Sequence, residues 1–139
     1  MGRAVCGLGL AVVAVSLWGV GSTEIRAAAN DEAARPEFYT TRVQPIFQAN
    51  CYRCHGGMNR RGGLSLGTKA GIMKGGKDGV VVVPGDPGAS LLVKLIRHEG
   101  PTSDPKPMPP KGKLSDADIA TVERWIRAGA VMPNDVPLQ

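Results

Sequence analysis

The sequence predicts an all-α fold of about four short helices joined by long loops. Apolar residues recur at helical spacing in four separate stretches, near 36–50, 68–74, 91–96 and 115–126. Most of the 19 glycines and 11 prolines lie between these stretches, where they interrupt regular structure. At 139 residues the chain has room for one small domain around one core. With only 4% aromatic residues, side chains alone would make that core thin, so something else is expected to fill its centre.

The first helix begins at Pro36-Glu37, suited to a first helical turn, and carries Phe38, Val43, Ile46 and Phe47 as one apolar stripe running towards Cys51. Pro45 removes a backbone donor and is expected to kink or split it. From Gly56 to Gly79 repeated glycines indicate loop, with one short helix near 68–74. Val80-Val81-Val82-Val83 reads as an extended buried segment, too short to settle strand against loop. Asp86-Pro87 resembles an N-cap and first-turn proline, followed by a helix with Leu91, Leu92, Leu95 and Ile96 on one face, ending near Gly100.

Five prolines between 101 and 113 demand a stiff, extended loop with Met108 in its middle. Ser115 and Asp118 form a capping-box start for the last helix, whose Ile119, Val122, Trp125 and Ile126 repeat at helical spacing until Gly129. There is no internal repeat.

Residues 1–29 read as an export signal: Arg3 supplies the positive start, an uncharged run extends from Ala4 to Gly21, and Ala27-Ala28-Ala29 suits a peptidase. The alternative is a retained membrane anchor, since 18 uncharged residues just span a bilayer. Cys6 precedes most of the apolar run, the wrong side for a lipidated cysteine. Residues 30–139 then form the folded domain, with 15 basic and 11 acidic residues. The basic residues are scattered, as on an ordinary solvated surface, and no basic run with interleaved aromatics supports nucleic-acid binding.

That domain holds two cysteines, in Cys51-Tyr52-Arg53-Cys54-His55. The order meets the demands of covalent haem attachment: two thiols near enough to add to the two vinyl groups, and an adjacent imidazole to bind the iron. A haem would also fill the thin core. A thioredoxin-like pair needs a strand-to-helix context, against which the glycine-rich stretch after His55 argues. A structural zinc site needs a fourth ligand, for which His98 is the obvious candidate.

Electron transfer without exogenous ligands requires a sixth iron ligand from the chain. Met108 is the choice, because a proline-rich loop can hold a thioether inward and His/Met ligation raises the haem potential. Met58 is too close to His55, Met73 belongs to a short helix core and Met132 follows the last helix. His98 is the rival ligand.

Val43-Gln44-Pro45-Ile46-Phe47, Cys51 to Gly56, Gly62-Gly63-Leu64-Ser65-Leu66, Val83-Pro84-Gly85-Asp86-Pro87, Met108-Pro109-Pro110 and Leu114 to Ala130 together resemble the planctomycete-type cytochrome c domain. The similarity covers nearly all of 37–131. It implies a class I cytochrome c-like fold around one haem, with Cys51 and Cys54 as thioether sites, His55 as proximal ligand and Met108 as distal ligand. It also implies that the first and last helices cross, with Phe47 and Trp125 near the contact. Many relatives carry the module at the front of longer chains with further domains.

The expected function is that of an exported, periplasmic or otherwise extracytoplasmic c-type cytochrome. It would carry single electrons on one covalent haem c between redox protein partners, with no catalytic residues. A haem peroxidase or gas-binding protein is the alternative, needing an open sixth position and a distal polar group such as His98 or Arg97. A module whose haem mainly stabilises the fold is a third.

Overall fold

The structure, a computed structural model, describes residues 31–101 and 103–134. Residues 1–29, expected to be an export signal, and with them Cys6, lie outside the described residues. Helices make up the described regular structure, with one isolated bridge between Gly76 and Gly79. The all-α expectation holds.

Helix α1 (residues 36–50) has three pieces: an α-helical turn Pro36–Phe38, a π-helical turn Tyr39–Val43 and an α-helical stretch Gln44–Asn50. Pro45 explains the middle one, since it has no N–H and its ring crowds the carbonyl one turn back. The helix widens there: the Gln44 amide donates to the Tyr39 carbonyl five residues earlier. The hydrogen-bond ladder restarts with Pro45 in the first turn of Gln44–Asn50, where no donor is missed. Backbone angles stay helical through the junction, so the expected kink or split takes the form of a register change inside one helix.

Helix α2 (Tyr52–His55) follows across Cys51, whose amide still donates to Phe47 at 2.8 Å while its carbonyl accepts from Cys54 and His55. Gly56 ends it. A Cβ at that position would lie 2.5 Å from the Tyr52 carbonyl oxygen. A tight turn at Arg61–Gly63 leads to helix α3 (Lys69–Lys74), capped by Thr68, whose hydroxyl accepts from the Gly71 amide at 3.0 Å.

Two boundaries depart from expectation. Of the valine run, Val81 and Val82 are buried but Val80 is 54% exposed, so the segment is a loop with two anchors rather than a buried strand. Helix α4 (Leu91–Ile96) starts after Ser90, not at Asp86-Pro87. Asp86 instead accepts from the Ala89 amide and closes a separate turn, and Ser90 then adopts an extended conformation. The Ser90 hydroxyl is fully buried, accepting from the Val83 amide at 2.9 Å and donating to the Asp86 carbonyl at 2.8 Å. A helix begun at Asp86 would forfeit this knot.

Helix α5 (Asp116–Arg127) is capped by Ser115, whose hydroxyl accepts from the Asp118 amide, and ends where Gly129 takes φ 101°. The Gly129 amide donates to Ile126 and the Ala130 amide to Trp125, satisfying carbonyls the helix leaves free. Ile119, Val122, Trp125 and Ile126 form its buried stripe. Trp125 lies 5.4 Å from the Tyr39 ring and 6.1 Å, edge-on, from that of Phe47, so the first and last helices meet at Phe47 and Trp125. The Trp125 indole N–H donates to the Val131 carbonyl at 2.9 Å.

Candidate functional site

Helical rotation explains why the motif has its spacing. Three residues on from Cys51 the helix has turned nearly once and four residues on slightly more than once, so Cys51, Cys54 and His55 share a face. All three line one cavity of about 270 Å3. The intervening residues point elsewhere: Tyr52 packs against the core, and Arg53 is exposed.

The far wall is apolar. Leu64, Leu66 and Val81 come from loops, and Leu92, Leu95 and Ile96 from α4. Met108, with Pro109 and Pro110, closes the cavity from the 101–113 loop. That loop is fastened to α4 by the Met108 amide, which donates to the Leu95 carbonyl at 3.1 Å, and to the 76–79 turn by a 2.6 Å ion pair between Lys77 and Asp104. Four residues from two distant segments, Cys51, Cys54, His55 and Met108, therefore meet around one space.

Electrostatics separate the competing readings. Burial, helped by the neighbouring Cys54, pushes the Cys51 thiol up to about 12, the opposite of the depressed value that a redox-active C-x-x-C nucleophile needs. Both cysteines are free. Burial also lowers the His55 pKa, an effect that the nearby main chain of Arg61 and Leu64 offsets only in part. Among the described residues no hydrogen bond closes on the buried His55 Nδ1.

His98 does not join the site. It is exposed beyond the cavity, with φ 58°, where its backbone terminates α4: the His98 amide donates to Leu95 and the Glu99 amide to Lys94. Its role is that of the left-handed residue closing a helix end. The four-ligand zinc arrangement thus loses its fourth member, and no cluster of three or more metal-ligating His, Cys, Asp or Glu side chains occurs among the described residues. Arg97, the other distal candidate, pairs with Glu123 at 2.6 Å and does not line the cavity. The remaining described methionines are also elsewhere: Met58 is fully exposed, Met73 packs on the core and Met132 is 3% exposed within it.

The residues present fit a c-type haem. Two thiols and an imidazole share one face, a thioether stands on another wall, and the space between is apolar enough to take a macrocycle. The rim residues Arg61, Lys77 and Lys106, which the sequence reading did not single out, surround its mouth with Asp78 and Asp104. Only their placement by the glycine-rich and proline-rich loops reveals them. No helix among the described residues is long and apolar enough to cross a membrane.

Residues 51–112 match the family model described as planctomycete cytochrome C. No curated protein and no solved structure matches the chain.

Proposed function

We propose, on the premise that residues 51–112 are a planctomycete-type cytochrome c domain, that the chain is an exported single-haem electron carrier with His55 and Met108 as the iron ligands. The observation that carries this reading is the convergence of Cys51, Cys54, His55 and Met108 on one apolar cavity. A haem, when bound, supplies a reversible one-electron couple.

The protein's own contribution is positional. Cys51 and Cys54 would each form a thioether, anchoring the group to α2, and the unsatisfied imidazole of His55 would serve as the proximal ligand. Met108 would present sulfur from a loop that prolines stiffen and Leu95 fastens, and thioether ligation favours the ferrous state. Leucine and valine walls keep water away, which holds down reorganisation on electron exchange. No proton transfer is assigned to any side chain. Haem attachment of this kind takes place outside the cytoplasm, which agrees with reading 1–29 as an export segment. The exchange partners are redox proteins.

Expression with a haem-attachment system tests the reading directly. The denatured parent should retain haem on a gel, show low-spin His/Met absorption, and begin after Ala29 by mass. The Cys51→Ala/Cys54→Ala double variant should lose the stain. Haem that survives denaturation in that variant would exclude attachment at this motif.

A further inference from the structure

Between Glu37 and Asp78 the chain carries seven basic residues and no acidic one. Fold contacts concentrate part of this charge beside the cavity. The Asn59 side chain donates to the Arg53 carbonyl at 3.0 Å, Arg60 Nε donates to the Gly57 carbonyl at 3.2 Å, and the Lys77 amide donates to the Gly62 carbonyl at 2.7 Å. These bonds gather the end of α2 and the loop after it, residues 53–62, against the 76–79 turn, and Arg61 and Lys77 both line the cavity.

Lys77 is neutralised by Asp78 and Asp104, but among the described residues no carboxylate pairs with Arg53, Arg60 or Arg61. Other described basic side chains, Lys94 and Arg127 among them, also lack a carboxylate partner, but nowhere else do three such residues fall within nine positions of the chain. Within the arginine loop stands Met58, with its side chain wholly in water. Met58 is thus a fully exposed methionine flanked in the chain by Arg53, Arg60 and Arg61, and Arg and Met are both enriched where proteins meet.

We propose that the end of α2 and the loop after it, residues 53–62, form the docking surface for a redox protein with an acidic face, Arg53, Arg60 and Arg61 steering the approach and Met58 making the central apolar contact. This rests on the electron-carrier reading and names where its partner binds. A protein partner is favoured over a lipid surface because one methionine gives a point contact, whereas membrane binding draws on a broad apolar face.

The test uses the haem-loaded chain on a gold electrode coated with mixed carboxylate- and methyl-terminated thiols, recording adsorbed mass and current together. Arg60→Glu/Arg61→Glu should lower adsorption at low ionic strength by at least about five-fold. Lys94→Glu/Arg127→Glu, exposed residues away from this loop with the same change in net charge, should alter it less than about two-fold. Met58→Gln should weaken adsorption on the mixed coating but not on one in which hydroxyl replaces methyl. Equal losses in the two charge-reversed variants would mean that net charge alone acts, and would overturn the proposal. So would binding of the parent to anionic phospholipid vesicles that Arg60→Glu/Arg61→Glu abolishes, which would assign the loop to a membrane. Adsorption that follows the expected pattern without a redox current would instead count against the electron-carrier reading and leave the docking surface standing.

Discussion

Met108 and His98 donate their amides to the same Leu95 carbonyl, each at 3.1 Å, yet only Met108 lines the cavity. The end of α4 thus places both candidate iron ligands. Its left-handed turn leaves the His98 side chain exposed, while the returning loop brings the Met108 thioether to the cavity wall. One carbonyl thus holds two residues that the sequence alone left in competition, and of these two only Met108 lines the cavity.

Met108→Ala should therefore keep the loop in place, because its anchor is a backbone bond and the surrounding prolines are untouched. The iron should become open or water-bound, the reduction potential should fall, and carbon monoxide or cyanide should bind far faster than in the parent. Absorption spectra, voltammetry and stopped-flow ligand binding report these changes. A parent that already binds carbon monoxide fast, with spectrum and potential unaltered by the substitution, would remove Met108 from the ligand set.

His98→Gly offers the complementary experiment. With φ 58°, residue 98 holds a conformation that glycine adopts without strain. The variant should be more stable by about 0.5–1 kcal/mol, the relief of left-handed strain less the extra freedom glycine gains in the unfolded chain. Its spectrum should match the parent's. A change to high spin would show the imidazole to be a ligand after all.

Much of this arrangement was legible because it depends on local rules. The Cys51, Cys54 and His55 face follows from helical rotation, and the ends of α5 follow from Ser115 and Gly129. What stayed hidden depends on backbone bonds between distant segments. Asp86-Pro87 has the chemistry of a helix start, but the buried Ser90 hydroxyl ties residues 83 and 86 together and delays the helix. Pro45 signals a break in α1, but not the π turn that absorbs it. The Gly62 carbonyl accepts from the Lys77 amide and so joins the two segments that carry Arg61 and Lys77 to the cavity.

Ser90→Ala should be among the more damaging single-atom changes. It leaves the Val83 amide and the Asp86 carbonyl without their buried partner, at a cost of about 1–3 kcal/mol. Urea unfolding followed by Trp125 fluorescence measures it. Ser65→Ala, also buried but with no side-chain hydrogen bond among the described residues, should cost less. Equal losses would assign the effect to packing rather than to the hydroxyl.

Asp31 links the start of the described chain to α5, accepting from the Ala33 amide at 3.1 Å and from the Arg124 guanidinium at 2.6 Å, while Arg124 lies over the Phe38 ring at 5.2 Å. The amide first, and then the guanidinium, hold the Asp31 carboxyl below its ordinary value of 3.8. Because the folded value lies below the unfolded one, the carboxylate stabilises the fold above pH 3.8, and this contribution disappears as pH falls through the lower folded value. Both side chains are partly in water, so the ion pair contributes no more than about 1 kcal/mol. Asp31→Asn keeps an oxygen for the Ala33 amide and removes the charge. It should be slightly less stable than the parent at pH 7, with the gap narrowing as pH is lowered below 3.8 and widening again on return. Added salt at pH 7 should also narrow it. Parallel urea titrations of the two proteins across this range measure the gap, and a difference that ignores both pH and salt would show that the Asp31–Arg124 charge pair plays no part in holding the start of the described chain against α5.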